Sequence, residues 1–337
     1  MNFSSRLLKW YDANRRDLPW RTYPDPYHIW LSEIMLQQTQ MSTALPYFHR
    51  FLDRAPTIKA LSELTEDELL KLWEGLGYYR RAKNLHLASK RIMSDYGGEL
   101  PRTYDELREL PGIGEYSAGA IASTAFGIKA LAVDGNVERV MARFFLITDD
   151  VTKAATKRAI KEILWPLAPE ERIGDFNQAL MELGALVCLP SGMPRCEECP
   201  LKEDCLARQE EMQLDLPVKS KKKESTVLPL TVLLLRSGDS IAITKREEKG
   251  LLASLWQFPS LEGHVDPSEL FGVKAELITA QKHIFSHRVW DMLLYRVELD
   301  YHLEDYLWVP LWELHHYPMG RAFGQFKEFL DIKRDLD

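Results

Sequence analysis

The stretch LPGIGEYSAGA, from Leu110 to Ala120, is the most informative part of the 337-residue chain. Two glycines, Gly112 and Gly114, bracket an isoleucine and predict a tight hairpin, and a helical apolar period begins directly after it. Such a hairpin turns backbone N–H groups outward at a helix N-terminus, with Glu115 or Ser117 available in the first turn. This arrangement binds one phosphate without side-chain charge. The alternative is an ordinary glycine turn between packed helices.

Helical periods continue on both sides of the hairpin. Apolar residues recur at three- and four-residue spacing in PYHIWLSEIMLQQT, DELLKLWEGL, AGAIASTAFG and QALMELGALV. Thr65 and Glu68 predict a capping box at the start of one of these helices. The sequence therefore predicts an all-α module from Asn2 to about Gln213.

The composition is that of a globular chain. Of the residues, 45% are hydrophobic and 28% are charged, which favours one domain of about 200 residues plus a smaller one. The formal net charge of -7 excludes a protein that coats nucleic acid by bulk attraction, although a local basic patch is compatible with it. No apolar run approaches the roughly 18 residues of a membrane helix, and the N-terminus turns polar before a secretory core forms. We therefore expect a cytosolic protein.

All four cysteines lie in the segment VCLPSGMPRCEECPLKEDC, at Cys188, Cys196, Cys199 and Cys205. A disulfide framework spreads its cysteines over the chain, so the cluster indicates a metal site. Zinc sites usually supply two close pairs, whereas here one close pair is flanked by single cysteines. That asymmetry favours one 4Fe-4S cluster; zinc and free thiols are the alternatives.

The periodicity changes after the lysine-rich segment LPVKSKKKES, residues 216–225, which we interpret as a linker. LPLTVLLLR, IAITKR and HRVWDMLLYRVEL predict strands, the last with Val289, Leu293, Tyr295, Val297 and Leu299 on alternate positions. A final helix is predicted from about Phe323 to Ile332. The sequence therefore predicts a small α/β domain.

The hairpin segment LPGIGEYSAGAIASTAF, followed by AVDGNVERV, resembles the helix-hairpin-helix DNA glycosylases, and the cysteines lie where the iron-sulfur branch of that superfamily has its own. LSEIMLQQTQ, GLGYYRRAKNL, VDGNVERV and the α/β tail resemble the adenine DNA glycosylases within it, over nearly the whole chain. The resemblance implies a multi-domain protein. Residues 1–215 would form the all-α glycosylase module with its iron-sulfur loop at 188–205, and residues 226–337 a Nudix-like lesion-recognition domain.

The cysteine spacing departs from the family's pattern in one place. Seven residues separate Cys188 from Cys196, one more than is usual in the family. We expect the extra residue to be looped out near Ser191 and Gly192.

Two carboxylic residues match the catalytic pair of that family. Releasing adenine requires a proton for a poor leaving group and a negative charge beside an oxocarbenium-like sugar. The resemblance assigns the first role to Glu33, which would protonate adenine N7 and assist the water, and the second to Asp134. It also implies that Asn136 orients these groups and that Tyr116 hydrogen-bonds near Asp134. Taken alone, Glu33 reads as a solvent-facing glutamate and Asp134 as a helix cap.

Tyr116 also indicates the reaction subtype. Endonuclease III-like enzymes have a lysine at this place, which attacks the sugar and leads to strand cleavage. Since Glu115-Tyr116-Ser117 offers no amine, we expect hydrolysis without efficient lyase activity.

The resemblance also implies DNA contacts. Gln38 and Tyr78 would fill the gap left by an extruded adenine. The segment Phe285-Ser286-His287 would sense 8-oxoguanine in the opposite strand, with the Ser286 hydroxyl at the N7/O8 edge. Without the motifs around them, Gln38 would be interpreted as a surface amide, Tyr78 as a core aromatic residue and residues 285–287 as a polar turn. The REx2EExG magnesium helix of Nudix hydrolases is absent from the sequence, so pyrophosphatase activity is not expected.

We therefore interpret the chain as a monomeric base-excision repair enzyme, cytoplasmic and of bacterial type. Its expected partner is duplex DNA in which adenine is mispaired with 8-oxoguanine or guanine, and no membrane partner is expected. Three alternatives are a thymine or oxidised-pyrimidine glycosylase with lyase activity, a non-catalytic iron-sulfur DNA-binding or redox-sensing protein, and a nucleotide pyrophosphatase.

Overall fold

The chain divides into two compact units. The computed structural model describes residues 2–22, 24–220 and 225–330. The first unit comprises Met1–Glu63 and Asn84–Lys221, and the second comprises Leu64–Lys83 and Lys222–Asp337. The domain limits predicted from the sequence remain predictions.

The helices are short and follow one another closely. Their bounds are α1 Phe3–Asn14, α2 Pro19–Thr22, α3 Pro26–Leu36, α4 Met41–Arg54, α5 Ile58–Ser62, α6 Glu66–Trp73, α7 Arg80–Asp95, α8 Tyr104–Glu109, α9 Glu115–Phe126, α10 Gly135–Phe144, α11 Ala154–Leu164, α12 Ile173–Leu186, α13 Leu206–Gln209, α14 Ser268–Phe271 and α15 Arg321–Gly324. Short 3-10 turns lie at Trp165–Leu167, Cys196–Glu198, Lys202–Asp204, Leu311–His316 and Gln325–Phe329.

Helix α12 forms the centre of the first unit, where it packs against α1, α9 and α10, while α3 packs against α9. Fully buried side chains such as Tyr11, Phe176 and Leu180 fill this core, and each buried apolar side chain stabilises the fold by about 1.5–3 kcal/mol. The packing brings the C-terminal half of α3, the start of α9 and the start of α10 around one core.

Local signals set the helix ends as the sequence predicts. Thr65 and Glu68 form the expected capping box of α6, in which the Glu68 N–H donates to Oγ1 of Thr65 and the Thr65 N–H donates to Oε2 of Glu68. Gly127, with φ +66°, ends α9 in the left-handed region that glycine adopts without strain.

A mixed sheet forms the core of the second unit. Its strands are β1 Thr226–Ser237, β2 Ser240–Lys245, β3 Trp256–Gln257, β4 Ser260–Glu262, β5 Ala275–Ile284, β6 Arg288–Glu298 and β7 Leu307–Pro310. The main order is β3-β2-β1-β6-β5, with β1 and β6 parallel and the other pairs antiparallel. β4 pairs with β1, and β7 pairs with β2.

Strand β6 is buried on both faces, which the alternation in the sequence did not indicate. Trp290, Met292 and Leu294 are buried in one cluster, whereas Val297 is buried in another. Leu293 is only partly buried, although the sequence pattern grouped it with Val297. Even- and odd-numbered residues of a strand point to opposite faces of the sheet, and each face of β6 packs into its own hydrophobic cluster, which includes Phe323 on one side and Phe271 on the other.

The predicted helix from Phe323 to Ile332 is wrong as a single α-helix. The chain forms α15 and then a 3-10 turn, Gln325–Phe329, with Leu330 extended. Gly324 interrupts the segment, since glycine is among the weakest helix formers. The end of the predicted helix lies outside the described residues.

Residues 64–83 belong to the second unit although they lie far upstream in sequence. Lys245 pairs with Asp67 over 2.8 Å, and Nζ of Lys83 donates to Oγ of Ser254. The Met319 N–H donates to Oε1 of Glu74 over 2.9 Å. These contacts attach the segment to the sheet region.

The segment that follows α13 is held on the first unit up to Ser220. The Val151 N–H donates to the Val218 carbonyl over 3.1 Å, and the Ser220 hydroxyl contacts Asp150. No helix in the described ranges has the length and apolar character needed to cross a membrane.

Candidate active site

Glu33 lies on α3 among buried side chains. The helix starts at Pro26, where Oδ1 of Asp25 accepts the Tyr27 N–H over 2.8 Å, and Trp30 and Ile34 are buried on either side of Glu33. Burial raises the pKa of Glu33 to about 7. A carboxyl group with this pKa carries a proton in a large fraction of molecules at neutral pH, as a general acid must.

Tyr116, in the first turn of α9, hydrogen-bonds to that carboxyl group. Its hydroxyl donates to Oε2 of Glu33 over 3.2 Å and lies 3.5 Å from Sδ of Met181 on α12. The bond expected near Asp134 is thus made to Glu33. Burial, with the nearby charges of Glu33 and Asp134, holds the pKa of Tyr116 well above its usual range, so the hydroxyl remains a donor.

Asp134 is the N-cap of α10. Its Oδ1 accepts the N–H groups of Asn136 and Val137, both over 2.9 Å, and its Oδ2 accepts Nδ2 of Asn136 over 2.7 Å. Asp134 therefore caps α10, as the sequence suggested, and is also an electrostatic neighbour of Glu33, because its carboxylate contributes to the raised pKa of Glu33. Gly184 permits the close approach of α12, since a Cβ there would lie 2.6 Å from the Asn136 Cβ.

Arg139 on α10 is buried and bonds to neutral groups. Its Nη2 donates to Oδ1 of Asn136 and to the Gly184 carbonyl, both over 2.8 Å, and its Nε donates to the Cys188 carbonyl over 2.8 Å. One guanidinium group thereby connects the Asp134–Asn136 pair to the first cysteine. A charged residue within the apolar face of α10 was the only signal in the sequence.

A buried carboxylate lies next to Met181. Glu182 is 1% exposed and pairs with Arg21 over 2.7 Å and with Arg16 over 2.8 Å. Arg21 lies near enough to Glu33 to lower its pKa, against the larger effect of burial. Sequence analysis missed this group; a glutamate in the apolar period of α12 was the signal for a buried basic partner.

The four cysteines line one cavity of about 30 Å³ in the first unit. Cys188, Cys199 and Cys205 also pack against the hydrophobic core. No group of three potential metal ligands is drawn together tightly among the residues that the structure describes. The donor set nevertheless fits a four-thiolate group, since all four sulfur-bearing residues face the same small cavity.

Arg143 anchors the cysteine loop from the side of α10. Its Nη1 lies 3.3 Å from Sγ of Cys188 and donates to the Leu189 carbonyl over 2.9 Å, while its Nε donates to the Leu216 carbonyl over 2.9 Å. The Arg195 N–H closes the base of the loop on the Val187 carbonyl over 2.9 Å. Residues 191–193 are exposed at the tip. The longer cysteine spacing is therefore accommodated by a surface excursion.

The glycine hairpin has the predicted form. Gly112 has φ +79°, and a Cβ there would lie 2.7 Å from the Asn84 Cβ, so only glycine fits. Gly114 is the N-cap of α9, which leaves the first N–H groups of the helix without intrahelical partners. Ser117 is 2% exposed, and its Oγ accepts Nε2 of Gln37 over 3.1 Å. The Ser117 hydroxyl thus ties the hairpin helix to the segment after α3.

Gln38 and Tyr78, the two residues expected to enter the DNA, both have strained backbones. Gln38 has φ +56° and Tyr78 has φ +49°, a region that non-glycine residues seldom adopt. Gln38 is exposed in the first unit, and Tyr78 is 50% exposed in the second. Strain of this kind is characteristic of functional positions.

In the second unit, the segment Phe285-Ser286-His287 forms the turn between β5 and β6. The Phe285 N–H donates to the Arg288 carbonyl over 2.8 Å, which leaves Ser286 and His287 exposed at the tip. The Phe285 ring instead packs on Trp290, with ring centres 4.8 Å apart. The hydroxyls of Ser286 and Tyr78 lie 2.9 Å apart and share a hydrogen bond.

A larger cavity of about 350 Å³ lies at the other end of α3, lined in part by Asp25, Tyr27, Arg102 and Phe126. None of the candidate catalytic residues lines it.

Both units match family models. Residues 31–166 match the HhH-GPD superfamily of base excision DNA repair proteins, and residues 231–328 match the NUDIX domain. The predictions of a helix-hairpin-helix module and of a Nudix-like domain are thereby confirmed.

Curated relatives cover most of the chain. It is 35% identical over 293 residues to the adenine DNA glycosylase of Buchnera aphidicola subsp. Schizaphis graminum, covering 85% of this chain and 84% of the relative. It is 35% identical over 334 residues to the adenine DNA glycosylase of Homo sapiens, covering 83% of this chain and 61% of the relative.

Solved structures match the helical part. A thermostable thymine-DNA glycosylase is similar with a TM-score of 0.56 at 30% identity, over 62% of this chain and 95% of that chain. A non-covalent endonuclease III–DNA complex is similar with a TM-score of 0.53 at 23% identity, over 63% of this chain and 100% of that chain, and supports the fold alone.

Proposed function

Because the chain belongs to the adenine DNA glycosylases of the HhH-GPD superfamily, we propose that it removes adenine mispaired with 8-oxoguanine or guanine in duplex DNA. It is a DNA N-glycosylase, and the finer proposal concerns its substrate pair, its mechanism and its lack of lyase activity. We propose that it acts as a monomer in the bacterial cytoplasm.

The observation that carries the mechanism is the environment of Glu33. Burial raises the pKa of Glu33 to about 7, and the Tyr116 hydroxyl fixes its Oε2 over 3.2 Å. Adenine is a poor leaving group, and protonation at N7 withdraws electrons from the glycosidic bond. A carboxylic acid that is still protonated near neutral pH supplies this proton, and the resulting carboxylate can then accept a proton from the attacking water.

Asp134 is suited to the complementary role. Three N–H donors from Asn136 and Val137 fix the orientation of its carboxylate. A fixed negative charge stabilises an oxocarbenium-like sugar without reorganisation at the moment of bond cleavage. Glu33 and Asp134 therefore divide the work as a protonated acid and an ionised stabiliser.

The hydroxyl of Tyr116 supports hydrolysis without strand cleavage. Its position at the start of the hairpin helix is that of the lyase lysine in endonuclease III-like enzymes, and a phenol whose pKa is raised far above its usual range is a poor nucleophile. We therefore propose that the abasic product is released with its strand intact.

DNA binding would use the two units differently. The hairpin at Gly112 and Gly114 presents free N–H groups to a phosphate, and Gln38 and Tyr78 would enter the space left by the extruded adenine. At the β5–β6 turn, the Ser286 hydroxyl would meet the altered N7/O8 edge of 8-oxoguanine, with Phe285 as the anchor of the turn and His287 exposed beside it.

One 4Fe-4S cluster is the cofactor that the cysteines would hold, through Cys188, Cys196, Cys199 and Cys205. When bound, it supplies four metal–thiolate bonds that cross-link the loop. Two arginines connect the cysteine loop to the rest of the first unit. Arg139 donates to the Cys188 carbonyl and to Oδ1 of Asn136, and Arg143 contacts the Cys188 sulfur and donates to the Leu216 carbonyl.

The test is single-turnover incubation with end-labelled duplexes that carry adenine opposite 8-oxoguanine, guanine or thymine, each analysed with and without alkali. We expect alkali-dependent cleavage at the adenine, fastest opposite 8-oxoguanine and abolished in Glu33→Gln but not in the exposed control Glu171→Gln. Strand cleavage without alkali would contradict the absence of a lyase nucleophile. Equal rates in Glu33→Gln and the parent would overturn the assigned acid.

A substitution at Ser286 tests the proposed lesion-sensing role separately. Ser286→Ala is expected to slow excision opposite 8-oxoguanine while leaving excision opposite guanine nearly unchanged, with Ser240→Ala on β2 as the matched control. A parallel loss on both duplexes would instead assign Ser286 to general DNA binding.

A further inference from the structure

The extended segment between α9 and α10 leads directly to Asp134, and its backbone is buried. Ala130, Leu131 and Ala132 are at most 9% exposed. From Lys129 to Val133, the described structure has no backbone–backbone hydrogen bond. Buried backbone groups without partners destabilise a fold, so other groups must fix this segment.

The side chain of Asn177 on α12 supplies those partners. Asn177 is 1% exposed; its Nδ2 donates to the Ala130 carbonyl over 2.8 Å, and its Oδ1 accepts the Ala132 N–H over 3.1 Å. The second hydrogen of Nδ2 is donated to Oγ of Ser123 on α9 over 2.9 Å. One amide group therefore makes three bonds and forms a two-point clamp on the segment.

Close backbone packing against α9 restricts the segment further. At Gly119 on α9, an added Cβ would overlap the Leu131 carbonyl oxygen. The segment is thus pressed against α9 and clamped from α12. This restriction ends two residues before Asp134, whose carboxylate caps α10 and contributes to the raised pKa of Glu33.

We propose that Asn177 is a positioning residue for the reaction, one that fixes the Ala130–Ala132 backbone and thereby sets the place of the Asp134 carboxylate relative to Glu33. The inference rests on the proposed function, because it assigns Asn177 a task only if Asp134 stabilises the sugar cation. Asn177 touches neither the DNA nor the reacting atoms in this account.

The test compares Asn177→Asp and Asn177→Ser with the parent and with Asn14→Asp, an amide-to-carboxylate change at an exposed position of the same unit. Asn177→Asp retains the acceptor for the Ala132 N–H but loses the donor to the Ala130 carbonyl, and Asn177→Ser is too short for both. The readouts are the single-turnover rate constant, the burst amplitude, the affinity for product duplex and the pH dependence of the rate constant.

For both Asn177 variants we expect the rate constant to fall at least tenfold while affinity changes less than threefold. The alkaline fall in rate should also move to lower pH, because a displaced Asp134 no longer raises the pKa of Glu33. Asn14→Asp should match the parent in every readout.

A structural role alone would lower the burst amplitude, which counts folded molecules, and leave the rate constant and its pH dependence unchanged in the folded fraction. That result overturns the proposal, as does the absence of any folded fraction in both variants. If the parent itself shows no Glu33-dependent excision of adenine, the proposed function has failed, whereas normal parent activity with unaffected Asn177 variants rejects only the present inference.

Discussion

The hydroxyl of Tyr116 donates a hydrogen bond to Oε2 of Glu33 over 3.2 Å, and this bond lowers the pKa that burial raises. In Tyr116→Phe the pKa of Glu33 should therefore rise further above about 7. Because the proposed mechanism uses the protonated form of Glu33, the single-turnover rate should fall at a pH about half to one unit higher than in the parent. A pH–rate profile measures this directly, and a fall at equal or lower pH would contradict the assignment.

The buried acid also makes stability depend on pH. The pKa of Glu33 is about 7 in the fold against an ordinary 4.5, so its contribution is fully present below pH 4.5 and is lost as the pH rises through 7. Relative to the parent, Glu33→Gln should gain up to about 3 kcal/mol in its free energy of unfolding between those limits. Urea denaturation at several pH values provides the measurement, with Glu171→Gln as the control. A pH-independent difference would show that Glu33 does not titrate as stated.

Arg139 tests the connection between the cysteine loop and the catalytic pair. Lysine cannot reproduce the planar fork that donates to Asn136, Gly184 and Cys188. Arg139→Lys should therefore lose about tenfold or more in the single-turnover rate and should retain less iron, whereas Arg195→Lys, exposed in the same loop, should behave as the parent. Iron content and excision rate are measured on the same preparation; normal values of both would refute the connection.

Gly119 tests the packing beneath the Asp134 segment. A Cβ in Gly119→Ala would overlap the Leu131 carbonyl oxygen, so the segment or α9 must shift. Overpacking of this kind costs about 1–3 kcal/mol, which should appear in thermal or urea unfolding. Gly135→Ala, where a Cβ meets nothing within 4 Å, is the control. Unchanged stability of the Gly119 variant would mean that the close approach does not exist in solution.

Tyr78 tests the lesion-sensing turn. The Tyr78 hydroxyl lies 2.9 Å from that of Ser286, so Tyr78→Phe removes a partner of Ser286 and keeps the ring. We expect the preference for adenine opposite 8-oxoguanine over guanine to fall by about threefold to tenfold, the worth of one hydrogen bond. Tyr301→Phe is the control, and competition between the two labelled duplexes is the measurement. An unchanged preference would separate Tyr78 from recognition of the oxidised base.

Local patterns predicted much of the fold. The capping box at Thr65 and Glu68 and the glycine hairpin follow from short-range chemistry, and both have the expected form. The two failures have different causes. The burial of both faces of β6 depends on what covers the Nudix-like sheet, which the periodicity of one strand does not encode. The break at Gly324 follows a local signal, the weak helix propensity of glycine.

In the candidate site, too, local motifs were predictable from the sequence and tertiary contacts were not. Motifs singled out Glu33, Tyr116 and Asp134, but they did not reveal the buried polar groups near them, Asn177 on α12 and Arg139 on α10. Asn177 and Arg139 act through backbone carbonyl and N–H groups, whose positions no sequence pattern reveals. The available signal was a polar residue on the apolar face of a helix. Such a residue indicates that a buried polar partner exists but does not identify that partner.

The membership of residues 64–83 in the second unit has a consequence for the order in which the protein is synthesised. The pair between Lys245 and Asp67 spans 178 positions, so this unit is incomplete until the ribosome has made its sheet. Closing so long a loop adds little to the equilibrium cost but delays the contact. A fragment beginning at Lys222 would also leave Ser286 without the Tyr78 hydroxyl, so the surface of the β5–β6 turn in the isolated C-terminal part differs from that in the whole chain.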